Sequence, residues 1–128
     1  MPLIDIHGAA LEDRDAVAVH LTPDAKLEEI APRLGEIGRV EIEFPKFRDG
    51  RGFTLARTLR ERFGYAGDIR ATGHFLPDQF AALAACGFTS FVTPPEHAPA
   101  QFAAATGAHQ PGQLLRRMVV RARETREG

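Results

Sequence analysis

The sequence contains only one cysteine, Cys86, in 128 residues. A single thiol cannot form a disulfide within the chain, and it cannot supply the several thiolates of a structural zinc site. It lies in the run Ala84-Ala85-Cys86-Gly87-Phe88, where no basic residue is adjacent. This context predicts a small buried side chain rather than a nucleophile.

Long hydrophobic runs are also missing. No segment approaches the roughly eighteen apolar residues that a membrane span requires, and the first residues lack a basic start followed by an apolar run. We therefore expect a cytoplasmic protein without a membrane partner. The apolar share of 44% and the charged share of 26% are those of an ordinary globular protein, and the length suits one domain over residues 1–128.

Recognised cofactor motifs are absent as well. The chain has neither the Gly-x-x-x-x-Gly-Lys-Ser/Thr pattern of a phosphate loop nor the Gly-x-Gly-x-x-Gly pattern of a dinucleotide site. Its 5 histidines are scattered, with no His-x-x-x-His or paired-carboxylate spacing. We expect no cofactor and no metal.

Charge is unevenly distributed along the chain. Residues 46–70 carry seven basic and three acidic side chains, whereas residues 1–45 carry four basic and ten acidic ones. Residues 112–128 carry five arginines and two glutamates around an apolar stripe, which predicts a basic amphipathic C-terminal helix. The distribution fits an anionic ligand or an acidic partner surface. Nucleic acid is not expected, because aromatic residues are not interleaved with the arginines.

Hydrophobic periodicity predicts alternating strands and helices. The predicted strands are 16–21, 39–44, 68–73 and 89–93, with a short edge strand at 3–6. The predicted helices are 23–30, 53–63, 77–86 and 99–105. Such βα units form a mostly parallel four-stranded sheet, arranged either as half of a (β/α) barrel or as a small open doubly wound sheet. Exposed sheet edges indicate a homodimer.

In a parallel sheet the loops that follow the strands meet at one edge, where ligands bind. The loop of residues 45–52 brings Lys46, Arg48 and Arg51 beside the start of a helix, and Gly50 and Gly52 give a ligand access to the main chain. This combination predicts a site for sulfate, phosphate or a carboxylate. The alternative is that Asp49 pairs with one of these arginines and the loop forms salt bridges only.

His74 follows the third main strand and a glycine, where an imidazole can serve as acid or base. It is the candidate catalytic residue, and a surface role is the alternative. Asp78 and Gln79 open the next helix, so capping of the backbone competes with a role in binding. The candidate ligand-binding residues are Lys46, Arg48, Asp49, Gly50, Arg51, Gly52, His74, Asp78 and Gln79.

Several runs in the sequence resemble a known family. They are Glu43-Phe44-Pro45-Lys46-Phe47-Arg48-Asp49-Gly50-Arg51-Gly52-Phe53, Ala56-Arg57-x-Leu59-Arg60-Glu61-Arg62-Phe63-Gly64-Tyr65-x-Gly67, Asp78-Gln79-Phe80 and Cys86-Gly87-Phe88. Over about residues 26–93 the chain resembles the bacterial domain of unknown function 934 family. That family's pattern Gly-Asp-Val-Leu-Arg-Asp-Gln corresponds here to a run in which His74 and Pro77 replace an acid and an arginine.

The resemblance implies an accessory role in sulfur assimilation, since members are often described as oxidoreductases and tend to be encoded beside assimilatory sulfite reductase. The first hypothesis is therefore a non-enzymatic accessory factor whose 45–52 loop binds an oxyanion or an acidic partner such as sulfite reductase. The second is a small enzyme for an anionic substrate, with His74 as acid or base. The third is a structural dimer module. The residues offer no electron carrier of their own, so redox chemistry would have to come from a partner.

Overall fold

Five strands form one sheet within residues 2–108, the part of the chain that the computed structural model describes. They are β1 (Leu3–Ile4), β2 (Ala18–Leu21), β3 (Arg39–Phe44), β4 (Asp68–Gly73) and β5 (Ser90–Val92). Three α-helices accompany them, α1 (Arg51–Glu61), α2 (Phe80–Cys86) and α3 (Pro99–Ala108). Shorter 3-10 segments cover Leu27–Glu29, Ala31–Glu36 and Pro77–Gln79.

The central strand β3 forms because its sequence alternates. Val40, Ile42 and Phe44 are buried, whereas Glu41 and Glu43 are partly exposed on the opposite face. This is the period of two that places successive side chains on opposite faces of a strand. The predicted bounds 39–44 and 68–73 agree with β3 and β4 as observed.

The sheet has the order β1-β5-β4-β3-β2 and is mixed. β2, β3, β4 and β5 are parallel, but β1 pairs antiparallel with β5, through Leu3↔Val92 and Ile4↔Phe91. The short edge strand expected at residues 3–6 is present as β1, but the expectation of a mostly parallel four-stranded sheet needs correction, because this fifth strand pairs antiparallel with the outer edge of β5. Pairing with β1 satisfies backbone groups that β5 would otherwise expose.

All three helices pack on the same face of the sheet. Gly52 at the start of α1 lies against Phe44 and Ile42. Phe80 of α2 stacks edge-on against Phe91 of β5 at 4.7 Å between ring centroids, and Phe102 of α3 lies 5.7 Å from Phe80. Sequential parallel strands with helices on one face are the arrangement of half a (β/α) barrel. A doubly wound sheet would carry helices on both faces.

The predicted helix over residues 23–30 is wrong. The segment forms a turn, in which the Ala25 amide donates to the Thr22 carbonyl, followed by 3-10 segments. The Thr22 hydroxyl donates to the Asp24 carboxylate (2.5 Å) and does not cap the backbone. Without a side-chain cap, and with Pro32 limiting its extension, so short an α-helix has little to stabilise it.

Other boundaries differ in detail. The helix predicted to stop before Gly107 continues as α3 to Ala108, so the glycine does not end it. The predicted basic helix of residues 112–128 lies outside the described residues. Among the helices of residues 2–108, none is long and apolar enough to cross a bilayer.

Candidate functional site

The two loops that carry the candidate residues leave the sheet side by side. Phe44 and Gly73, the last residues of β3 and β4, are register partners. The His74 amide donates to the Phe44 carbonyl (2.7 Å), which extends the pairing beyond the strands. Arg51 and His74 therefore follow parallel strands that end at the same edge of the sheet.

Gly73 permits this close approach. Its backbone has φ +96°, a conformation that side-chain-bearing residues rarely adopt, and an added Cβ would overlap the Phe44 main chain. The glycine before His74 thus serves the geometry of the sheet edge.

Asp49 organises the 45–52 loop. Its Oδ1 accepts from the Arg51 amide (3.1 Å) and Nε (3.0 Å), and its Oδ2 accepts from Nη2 (2.8 Å). Hydrogen bonds from Arg51 lower the pKa of Asp49 to about 2, and the same contact raises the pKa of Arg51. The sequence allowed Asp49 to pair with either Arg48 or Arg51. In the structure its partner is Arg51.

Asp24, in the turn after β2, is close enough to act on Arg51. Its pKa is lowered, chiefly by the hydrogen bond from the Thr22 hydroxyl, and also by the charge of Arg51. The carboxylate bonded to Arg51 is therefore that of Asp49, and Asp24 adds a smaller electrostatic contribution.

Lys46 and Arg48 are placed differently. Both side chains are exposed, and neither forms an ion pair with another residue in the described part of the chain. The Arg48 guanidinium lies over the Phe47 ring, 5.5 Å from its centroid, and Phe47 is 39% exposed. The loop therefore presents two cations and an aromatic ring to solvent.

The two glycines of the loop have different roles. Gly50 has φ -85° and no atom within 4 Å of an added Cβ, so its position is open. Gly52 is buried, and an added Cβ would lie 2.6 Å from the Phe44 ring. Its lack of a side chain lets α1 pack closely on β3.

Gln79 links the two loops. Its Nε2 donates to the Phe47 carbonyl (3.0 Å), and its Oε1 accepts from the Leu76 amide (2.9 Å). The second contact is the backbone capping that was one of the two expectations for this residue. Asp78 is exposed in the same turn.

Glu96, which is not among the residues predicted for the site, also lies at this edge. Its Oε2 lies 2.6 Å from Nδ1 of His74, and this hydrogen bond lowers the pKa of Glu96. Both side chains are about half exposed, at 56% for His74 and 45% for Glu96. Its position in the sequence could have indicated it, because Glu96 follows β5 just as His74 follows β4. A histidine held by a carboxylate at Nδ1 leaves Nε2 to act as acid or base.

Cys86 is buried, in agreement with its apolar context. An arginine lies beside it in space, because Arg57 Nη2 donates to Sγ at 3.3 Å. No group of three or more histidine, cysteine or acidic side chains within residues 2–108 could hold a metal ion.

The edge as a whole offers cationic donors, a carboxylate-bound imidazole and an exposed aromatic ring. Charge-assisted hydrogen bonds from such donors suit sulfate, sulfite, phosphate or carboxylate oxygens. The model of the family described as "bacterial protein of unknown function (DUF934)" matches residues 18–112. No curated protein and no solved structure matches the chain significantly.

Proposed function

This chain belongs to the family of bacterial proteins of unknown function (DUF934), and we propose that it binds an oxyanion, or the acidic surface of a partner protein, through residues 45–52. The observation that carries the proposal is that the side chains of Lys46 and Arg48 are exposed and form no ion pair in the described residues. The charge of Lys46 contributes to the lowered pKa of Asp49, but it is the neighbouring Arg51 that is hydrogen-bonded to Asp49. Unpaired cations beside each other attract anions most strongly.

The proposed setting is sulfur assimilation, with the chain as a non-enzymatic accessory factor of sulfite reduction. The family resemblance of the 45–52 loop supports this setting. An oxyanion site suits it chemically, because sulfite and sulfate carry the charge and the acceptor oxygens that lysine and arginine bind.

The binding test is calorimetric titration of the full chain with sulfite, sulfate and phosphate. We expect binding that weakens at least about tenfold in Lys46→Gln and in Arg48→Gln, because a hydrogen bond to a charged group contributes about 1.5–3 kcal/mol and each 1.4 kcal/mol is a factor of about ten. Arg62→Gln is the matched control, since Arg62 is 66% exposed at the far end of α1. Equal affinity in all four proteins would exclude the loop as the anion site.

The setting is tested separately in a bacterium that encodes this chain. Deletion should slow growth on sulfate as the only sulfur source, and added cysteine should restore it. The Lys46→Gln/Arg48→Gln gene should fail to complement, whereas the Arg62→Gln gene should succeed. Unimpaired growth of the deletion strain on sulfate would remove the assimilation role while leaving the binding result intact.

The contact between His74 and Glu96 favours a second candidate, a small enzyme for an anionic substrate. The carboxylate at 2.6 Å from Nδ1 orients the imidazole, and Lys46 and Arg48 would bind the anionic group. A panel of phosphate, sulfate and carboxylate esters tests this candidate. Turnover should be lost in His74→Ala and reduced in Glu96→Gln, and turnover that survives His74→Ala would eliminate the mechanism.

The third candidate, a structural dimer module, is favoured by the pairing of Arg51 with Asp49 and by the outer edge of β2. Within the described residues β2 pairs only with β3, so its other edge can accept a strand. Size-exclusion chromatography with light scattering distinguishes a dimer from a monomer. A stable dimer that Val19→Pro converts to a folded monomer would support this candidate, and a monomer at all concentrations would refute it.

A further inference from the structure

The face of the sheet opposite the helices is only partly covered. We call it the open face, and strand register assigns its residues because register partners point to the same side. Its members are Leu3, Ala18, His20, Arg39, Glu41, Glu43, Asp68, Arg70, Thr72, Ser90 and Val92.

The two arginines of the open face are largely buried and paired. Arg70 is 7% exposed, and it bonds Ser90 Oγ (3.0 Å) and Asp13 Oδ1 (3.2 Å). Arg39 is 13% exposed and donates to the Arg14 carbonyl (3.1 Å). The segment that includes Asp13 and Arg14 thus crosses this face on its way from β1 to β2 and covers both arginines.

The charge that remains exposed on the open face is acidic. Glu43 is 39% exposed, and its partner in the described part of the chain is His20, whose Nε2 lies 3.0 Å from Oε1. Glu41 is 24% exposed and accepts from Arg39 Nε at 2.9 Å. The half of β3 nearest its C-terminal end therefore presents carboxylates.

The opposite side of the same face carries one apolar pair, Leu3 and Val92, which we call the apolar strip. Leu3 and Val92 are register partners and are both partly exposed. Strands lie about 4.8 Å apart, so this pair on β1 and β5 begins about 10 Å from β3. An apolar strip and an acidic strip thus run side by side at about the width of one helix.

The C-terminal segment follows α3, which lies on the helix side of the sheet near β1. α3 packs on the turn that follows β1, where a Cβ added to Gly8 would lie 2.7 Å from the Ala103 Cα. Ala108 is about 8 Å further along the helix axis. From there residues 109–128 can reach across the sheet, because a helix of that length would span about 30 Å and five strands span about 19 Å.

The sequence of that segment complements both strips. It contains an apolar stripe at helical spacing, Leu114, Leu115, Met118, Val119 and Ala122, flanked by arginines 116, 117, 121 and 123. We propose that residues 112–128 bind the open face of their own chain. The apolar stripe would cover Leu3 and Val92, and the arginines would meet Glu41 and Glu43.

A second copy fits this face less well. Two open faces brought together would oppose carboxylates with carboxylates, and like charges at an interface are repulsive. Closure of two half-barrels into one barrel would also require the outer edge of β5, which β1 already occupies. The charge pattern thus favours the chain's own basic segment.

The test attaches a nitroxide spin label at residue 125, as Thr125→Cys in the full chain with Cys86→Ala, and records amide signals by NMR. The proposal expects His20, Glu43 and Val92 to lose most of their intensity, whereas Thr58 and Ala82 on the helix side keep theirs. Salt at 1 M should restore the lost signals, since it shortens the screening length to about 3 Å.

The matched pair of variants is Glu43→Lys and Glu61→Lys. Both make the same charge change, the first on the open face and the second at an exposed position of α1. Only Glu43→Lys should restore the signals. Loss on the helix side, or no selective loss, would overturn the proposal. So would loss seen only between a labelled and an unlabelled copy, because that would identify a dimer.

A second measurement avoids the cysteine changes. Trypsin cleaves after arginine, so a bound segment 112–128 should be cut several times more slowly than a free one. We expect faster cleavage there in Glu43→Lys than in the natural chain and in Glu61→Lys. Equal rates in all three proteins would contradict the proposal.

Discussion

Among the arginines in the runs that resemble the family, Arg60 should contribute most to the free energy of unfolding. Its guanidinium donates to the carbonyls of Tyr65 (2.9 Å), Gly67 (2.7 Å) and Gly87 (2.7 and 3.1 Å). It also lies 5.8 Å from the centroid of the Tyr65 ring. These carbonyls belong to the turns that lead into β4 and β5, so one side chain holds two turns against α1.

The change Arg60→Met keeps an aliphatic stem and removes every donor. A buried carbonyl that loses its partner costs about 1–3 kcal/mol, and water reaches half-buried turns, so we take the lower value for each of three carbonyls. The free energy of unfolding should fall by about 3 kcal/mol, with Tm lower by roughly 10 °C. Arg60→Lys should lose about half as much, because an ammonium lacks the planar fork of donors.

Urea denaturation followed by far-UV circular dichroism measures this difference. Arg62→Met is the matched control, because Arg62 is 66% exposed and only 3.8 Å from an equally exposed Glu28, a pair that contributes about 0–1 kcal/mol. An Arg60→Met midpoint equal to that of Arg62→Met would refute the assignment. So would an unchanged stability in Arg60→Lys.

Three further predictions concern the loop and the core. Gly52→Ala should destabilise the chain by about 1–3 kcal/mol in urea denaturation, because its Cβ overlaps a ring; Gly50→Ala, in open space, should be neutral or slightly stabilising, and equal effects would argue against the packing role. Asp49 should titrate near pH 2 by NMR, because its folded pKa is depressed. Its stabilisation is therefore complete above about pH 4 and lost as pH falls towards 2, and Arg51→Ala should return the pKa towards its ordinary value; an unchanged pKa would contradict the pairing. Thr93 has a buried hydroxyl without a hydrogen-bond partner in residues 2–108. Thr93→Val should therefore leave thermal stability equal or raise it by up to about 1 kcal/mol, and a clear loss would show that the hydroxyl has a partner.

The residues that carry the family resemblance divide into two groups in space. Gly52 and Arg60 act in packing and in holding turns, at positions where substitution disturbs the scaffold. Lys46 and Arg48 make no ion pair within the described chain and face solvent. The side chains of the second group are exposed and form no ion pair, so a functional experiment should begin with them.

Local pattern determined much of the fold. Alternation placed β3 and β4 at their observed bounds, and the apolar spacing of Leu55, Ala56 and Leu59 produced the buried stripe of α1. These predictions succeed because the period of a strand or helix is contained within a few neighbouring residues. The prediction for residues 23–30 failed because short-range signals favoured a helix that lacks a side-chain cap and is followed closely by Pro32.

Tertiary structure decided the contacts between distant parts of the chain. Asp13 meets Arg70 across 57 positions in sequence, and His74 meets Glu96 across 22. Neither contact has a local signal, because it depends on which strands become neighbours and on which face each side chain emerges. The local pattern predicted a strand at residues 3–6, but its antiparallel pairing belongs to the same class, since only the completed sheet exposes the β5 edge that β1 covers.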